Sequence, residues 1–155
     1  MQAVSIWPEW AHAIYAGAKH VEVRSWRVKA PCDLLMCTSK RKYDYFPAGY
    51  AVALLHVEAC VPMHAGLLED ACMDEMPGIN QFAWILTACW PIEPFEVKGS
   101  MHIFEVDKDE NELNFLQSDE EIFAALKPIT PMMPGTLEEA RRTDGFDCIF
   151  ASSEA

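Results

Sequence analysis

Lys19, Glu22 and Arg24 bring an ammonium, a carboxylate and a guanidinium into one short stretch of the chain, between Gly17 and Arg27. Such groups together hold a phosphate or carboxylate and orient the polar edge of a substrate, the guanidinium by its planar fork and the ammonium as a point charge. The plain alternative is a set of exposed ion pairs of little energetic weight. Read as a strand from His20 onward, the stretch alternates, with His20, Glu22, Arg24 and Trp26 on one face and Val21, Val23 and Ser25 on the other. One face is apolar and the other can do chemistry. Lys19, at the bend after Gly17, can lean toward the Glu22 and Arg24 face.

Two kinds of work follow from this trio. Binding needs only geometry: Lys19, Arg24 and Lys40 fix a phosphate or a base edge, Glu22 accepts from an exocyclic amine, and an aromatic such as Trp84 stacks. Packing in the core is the alternative role for Trp84. Catalysis needs a Lys19 whose pKa is lowered by burial and by Arg24, so that it takes a proton from water or a hydroxyl near neutral pH. Glu22 would then orient that proton and Arg24 would stabilise developing negative charge. Glu22 beside Lys19 opposes the lowering, which favours binding over turnover. A protein-interaction module, with an acidic C-terminal surface toward its partner, is a third reading.

Other chemistry-bearing residues are sparser. The six cysteines (Cys32, Cys37, Cys60, Cys72, Cys89, Cys148) show no CxxC and no zinc-like Cys/His spacing, so buried thiols are expected, with no metal and no cofactor. Cys37, near Lys40, is the one thiol with an electropositive neighbour that a nucleophile would need. His56 lies inside an apolar run and reads as a satisfied core or edge histidine. The formal net charge of −12 argues against broad attraction to nucleic acid. That average hides a segregation. Residues 1–42 hold seven basic against three acidic residues, a surplus of four, and the remainder holds five against twenty-one, a deficit of sixteen. Any anion site is therefore local, and Ser39, Lys40, Arg41, Lys42 form its second basic cluster.

The elements that must position these groups read as a short strand over Ala3–Trp7 and a helix opened by Pro8 and Glu9, closed by Gly17. Trp10, Ala11 and Ile14 form that helix's packing face. Leu34–Thr38 is a continuous apolar run typical of a strand buried on both sides. Gly49–Glu58 reads as a central strand, Met63–Pro77 as a helix or helical loop, Gln81–Trp90 as a strand halted by Pro91, and Met101–Val106 as a short strand. Short strands with Pro and Gly punctuation favour a small barrel over a layered parallel sheet. Beyond Val106 the composition turns acidic, and Ser118 with Glu121 and Thr136 with Glu139 mark two capped helices. The expected architecture is α+β: a small, mostly antiparallel β-barrel with an N-terminal helix, a helical insertion and a C-terminal helical extension. With 155 residues, 51% of them hydrophobic, residues 1–106 would form one barrel domain and residues 107–155 an acidic extension packing on it. No apolar run approaches the roughly 18 residues of a membrane span. The start shows no export leader, so a cytoplasmic protein is expected.

These pieces in this order resemble the ASCH domains, small relatives of the PUA-like barrels of RNA-binding and RNA-modifying proteins. The resemblance rests on Ser5, Ile6, Trp7, Pro8, Glu9, Trp10, Ala11, then G-x-K-x-x-E-x-R as Gly17, Lys19, Glu22, Arg24, followed by Ser25 and Trp26. It continues through Leu34 and Leu35 to Thr38, Ser39, Lys40, the strand from Gly49, and Phe82, Ala83, Trp84 to Pro91, Ile92. It implies a barrel whose cleft is lined by Lys19, Glu22, Arg24, Ser39 and Lys40 and takes RNA or a nucleotide-like ligand. Some members of the family it resembles are ribonucleases, or amidohydrolases acting on N4-acetylcytidine, in which the lysine matching Lys19 is catalytic. Glu22 stands where the amidohydrolase branch has threonine, and Cys37 and Thr38 where the family's strand has His and Ala.

Overall fold

The computed structural model describes residues 1–150; the last five residues of the expected extension lie outside the described residues. Strand β1 (Gln2–Ile6) leads into helix α1 (Pro8–Tyr15), with Pro8 at its first position and Glu9 in its first turn. Both choices suit a helix start, where an N–H is unsatisfied anyway and the dipole favours negative charge. Gly17, at φ +82°, then turns the chain in the left-handed region and delivers it to β2 (Val21–Arg24). Strands β3 (Cys32–Thr38), β4 (Tyr50–Pro62), β5 (Phe82–Glu96) and β6 (Ile103–Glu105) follow, then α2 (Asp119–Leu126) and α3 (Leu137–Ala140).

The strands form one sheet in the order β2-β5-β4-β3-β1-β6, antiparallel throughout except for β1 beside β3. The expected small, mostly antiparallel barrel takes the form of a curled half-barrel with β2 and β6 as its outer strands. Register shifts along β4 and β5 supply the curl, because each bulge bends its strand and adds twist. The curl is tight enough that Arg24 at the end of β2 donates to the Ser5 carbonyl of β1 at 2.8 Å, although three strands separate them in the sheet.

β3 is buried on both sides. Leu34 and Met36 join the main core with Val4, Ile6, Leu55 and Trp84, whereas Leu35 and Cys37 pack on the opposite face with Ala3, Leu54 and Ile92. The main core also takes in Leu126, Met133, Ala140, Phe146 and Phe150 from beyond residue 107. Both C-terminal helices are capped as their sequences imply: the Glu121 N–H donates to Ser118 Oγ and the Glu139 N–H to Thr136 Oγ1.

Three local expectations change. β5 runs through Pro91 and Pro94 to Glu96, because β2 pairs only its first four residues and beyond them the irregular 114–116 stretch borders the edge through the Glu93 N–H and the Pro91 carbonyl, needing neither proline nitrogen. The insertion forms a single 3₁₀ turn (Ala65–Leu67) followed by irregular turns, its periodic stretch being too short and interrupted by Gly66 and Pro77. Trp10 leaves the packing face of α1, which is formed by Pro8, Ala11, His12 and Ile14, and stands 39% exposed.

Candidate functional site

Lys19, Glu22 and Arg24 do converge. Glu22 Oε2 accepts from Arg24 Nε at 3.0 Å and from Nη2 at 2.9 Å, while Oε1 lies 3.8 Å from Lys19 Nζ. One carboxylate is thus shared by two cations, and the trio keeps one net positive charge. The alternation of β2 puts Glu22 and Arg24 on one face, and Val21 on the other packs against Met63, Ala71 and Ala83. The 63–73 segment folds back over this strand. Its Asp70 carbonyl accepts from the His20 and Val21 N–H groups, and its Ala71 carbonyl accepts from Lys19 Nζ at 2.7 Å.

Lys19 is 4% exposed and Glu22 6%, so the cluster is no solvated surface pair. Burial lowers the Lys19 pKa from the ordinary lysine value; the Glu22 carboxylate opposes that and the Arg24 charge adds to it. Around the trio lies a cleft of about 430 Å³, walled by Ser5, Trp7, Trp10, Met73, Pro77 and Gln81. Trp7, 50% exposed, carries the Arg41 guanidinium 3.8 Å from its ring centre, and the Lys19 ammonium lies 5.2 Å from the ring of Trp10.

Ser39 and Lys40 do not join this cleft. They line a separate groove of about 980 Å³ with Gly49, Glu96, Lys98 and Ser100, and the two cavities share only Ser5. The Ser39 N–H donates to the Ile6 carbonyl, which holds the β3 end beside β1, whereas Arg24 of β2 meets β1 across the curl at the Ser5 carbonyl. Trp84 is corrected too. It is 1% exposed, edge-to-face with Trp26, and its indole N–H donates to the Trp26 carbonyl at 3.4 Å, so it serves the core and presents no open ring to the cleft. Cys37 is buried and its thiol is pushed up to about 12, which removes it as a nucleophile.

The aromatic walls Trp7 and Trp10 were missed in favour of Trp84. Their signal was the Trp-Pro-Glu-Trp opening of α1, where a helix start next to a strand end exposes its flank. His56 sits at the sheet surface between Asp33 Oδ1 at 2.7 Å and Glu58 Oε2 at 2.9 Å, away from the cleft, and its pKa is raised chiefly by the Asp33 contact. Among the described residues no group of three or more His, Cys, Asp or Glu side chains could hold a metal, and no helix is long and apolar enough to cross a membrane.

A curled six-strand sheet with a cationic cleft between its first helix and its edge strand defines the class. Residues 4–96 match the ASCH domain, and the chain belongs to that family. Among solved structures, ASCH from Zymomonas mobilis aligns over 81% of this chain and 94% of its own at 18% identity, with a TM-score of 0.56. Two substituted variants of that protein each align over 72% of this chain at 21% identity, with a TM-score of 0.54. At these identities the likeness is one of fold. No curated protein matches the chain.

Proposed function

We propose that the chain binds one nucleotide unit, within RNA or free, in the Lys19, Glu22, Arg24 cleft. The carboxylate shared between two cations carries this reading. It leaves a net positive charge beside a concavity, with Nη1 of Arg24 lacking a hydrogen-bond partner among the described residues. A half-buried guanidinium with an unspent donor favours an anionic or carbonyl oxygen, and Trp7 and Trp10 offer faces on which a base stacks. The volume of about 430 Å³ lies in the range of small-ligand sites. ASCH domains are generally associated with RNA, which agrees. The net charge of −12 confines attraction to the cleft and disfavours a long backbone contact. Titration of ribonucleotides into wild type and Lys19→Ala tests the reading. The variant should bind at least about tenfold more weakly, the loss of one charge-assisted contact; equal affinity overturns it.

Hydrolysis of the bound ligand is the second reading, supported by the lowered Lys19 pKa, which raises the fraction of free amine able to take a proton near neutral pH. Turnover in wild type that vanishes in Lys19→Ala while ligand binding persists would select it. Absence of turnover with any ribonucleoside, ribonucleotide or RNA, beside intact binding, removes it.

A further inference from the structure

Exposed ring faces in this chain are commonly covered by its own cations. Arg41 lies 3.8 Å from the ring centre of Trp7, Arg27 4.6 Å from that of Phe82 and Lys108 4.8 Å from that of Phe95. Trp90 and Phe115 stand apart. They are 44% and 37% exposed, and among the described residues no Lys or Arg lies over either ring. Both line a hollow of about 380 Å³ that shares no residue with the Lys19 cleft or with the Lys40 groove.

Backbone pairing builds this hollow. Trp90 lies opposite Leu54, which is buried and belongs to the same lining, and the 114–116 stretch runs beside β5 as a wall. The Glu93 N–H donates to the Asn114 carbonyl at 2.7 Å and the Leu116 N–H to the Pro91 carbonyl at 3.0 Å, so the backbone carrying Phe115 is tied down next to Trp90. The polar part of the lining is anionic or accepting. Asp33 gives Oδ1 to His56 and keeps Oδ2 unspent, and Glu110 meets no cation within salt-bridge distance among the described residues. Gln117 donates its Nε2 to the Phe115 carbonyl at 3.3 Å, which leaves Oε1 as an acceptor. No Lys or Arg lines the hollow. The negative charge also runs past it. His56 bridges Asp33 to Glu58 across the sheet surface, and residues 107–121 hold seven acidic residues against one basic. Even with His56 protonated, Asp33, Glu58 and Glu110 leave a net charge of −2.

We propose that this hollow is the docking site for a basic segment of a partner protein, with one lysine or arginine side chain entering beside Trp90 and Phe115 and neighbouring cations following the row from Asp33 to Glu58. The negative faces of the two rings attract a cation, and the carboxylates supply its counter-charge. Arginine suits the site better than lysine, because its planar guanidinium stacks on a ring while it donates to a carboxylate. Phosphates are repelled here, so the site works independently of the nucleotide cleft. Carboxylates that continue beyond a single side chain's reach match a polypeptide with spaced cations and exceed what one small organic cation would use.

The test titrates capped tetra-arginine peptide, and capped arginine alone, into the isotope-labelled full chain. The peptide should shift the Trp90 indole N–H and the amides of Phe115 and Leu116, leave the indoles of Trp7 and Trp10 in place, and bind at least about tenfold more tightly than the single residue. Affinity, read from the Phe115 and Leu116 amides, should fall about fivefold in Trp90→Ala and by a similar factor in Glu110→Gln. Trp90 lies outside the three core clusters and Glu110 is exposed, so both variants keep the fold. Peptide shifts that avoid Trp90, or an affinity that both variants leave unchanged, overturn the site. A loss in Trp90→Ala with none in Glu110→Gln marks an apolar patch and overturns the cation reading. Equal affinity for capped arginine and the peptide marks a small-cation site and overturns the partner.

Discussion

At the scale of residues, Glu22 is the keystone of the site, because its one buried carboxylate is the counter-charge that the buried Lys19 and the half-buried Arg24 share. Glu22→Ala leaves two cations close together without their counter-charge and should cost about 3–5 kcal/mol of stability, whereas Glu22→Gln, which keeps an acceptor, should cost less; urea unfolding at neutral pH reads both. Lys19 carries a pH signature. Its pKa is lowered by burial, so affinity for an anionic ligand should fall as pH rises through that lowered value, before the ordinary lysine range is reached. The sign for stability is the reverse: between the folded and unfolded values the unfolded chain binds more protons, so the Lys19 contribution improves as pH climbs. His56 and His12 differ in direction. His56 is raised by Asp33 and Glu58, so its stabilisation is complete below its unfolded value near 6.5 and is lost as pH rises through the folded value. His12, buried beside Tyr43 with its Nδ1 2.7 Å from the phenol oxygen, is lowered, so its contribution is lost as pH falls below that same unfolded value. Proton NMR of the two imidazoles should place His56 above and His12 below the ordinary range.

At the scale of elements, the site depends on how α1 hands over to β2. Gly17→Ala puts a side chain at φ +82° with nothing within 4 Å to clash, so its cost is one of backbone alone, about 1–2 kcal/mol, read as a lowered unfolding midpoint. The same handover explains what could be read in advance. The Gly17 turn, the alternation of Glu22 and Arg24, and the doubly buried β3 are local patterns, legible because a bend and a period of two leave marks in the sequence. The parting of Lys40 from Lys19 was not legible. It follows from β3 pairing with β1, between residues some thirty positions apart, for which the sequence holds no local sign. Trp84 and Trp10 exchanged places for a similar reason. A tryptophan in an apolar strand and one in an amphipathic helix look alike until the curl of the sheet decides which edge is covered. Pro91 and Pro94 misled at the strand end because proline ends a strand only where its missing N–H is needed, and here the bordering 114–116 stretch uses the Glu93 N–H and the Pro91 carbonyl instead.

At the scale of the whole molecule, the curled sheet is completed from both ends of the chain. Phe146 and Phe150 are fully buried in the same cluster as Val4, Ile6 and Ile14, so the segment beyond residue 107 holds the wall behind α1. Phe150→Ala should cost about 3–5 kcal/mol, and thermal unfolding should remain a single transition, lowered as a whole, because one core spans both segments. A separate early transition would show that the two segments unfold independently. The charge pattern also acts at this scale: with a net −12 around two cationic cavities, ligand capture should be local and weakened by salt only modestly. Indole N–H resonances give the most direct test of the cleft, since the tryptophans report from distinct places: Trp7 and Trp10 at its walls, Trp84 in the core and Trp90 exposed in the middle of β5, in a separate hollow. Titrating a ribonucleotide into the labelled chain should shift the indole signals of Trp7 and Trp10 together with the backbone amides of Lys19, Glu22 and Arg24, and leave Trp90 in place. Shifts confined to Trp90 and its surroundings, or none at saturating nucleotide, would contradict a nucleotide site between α1 and β2.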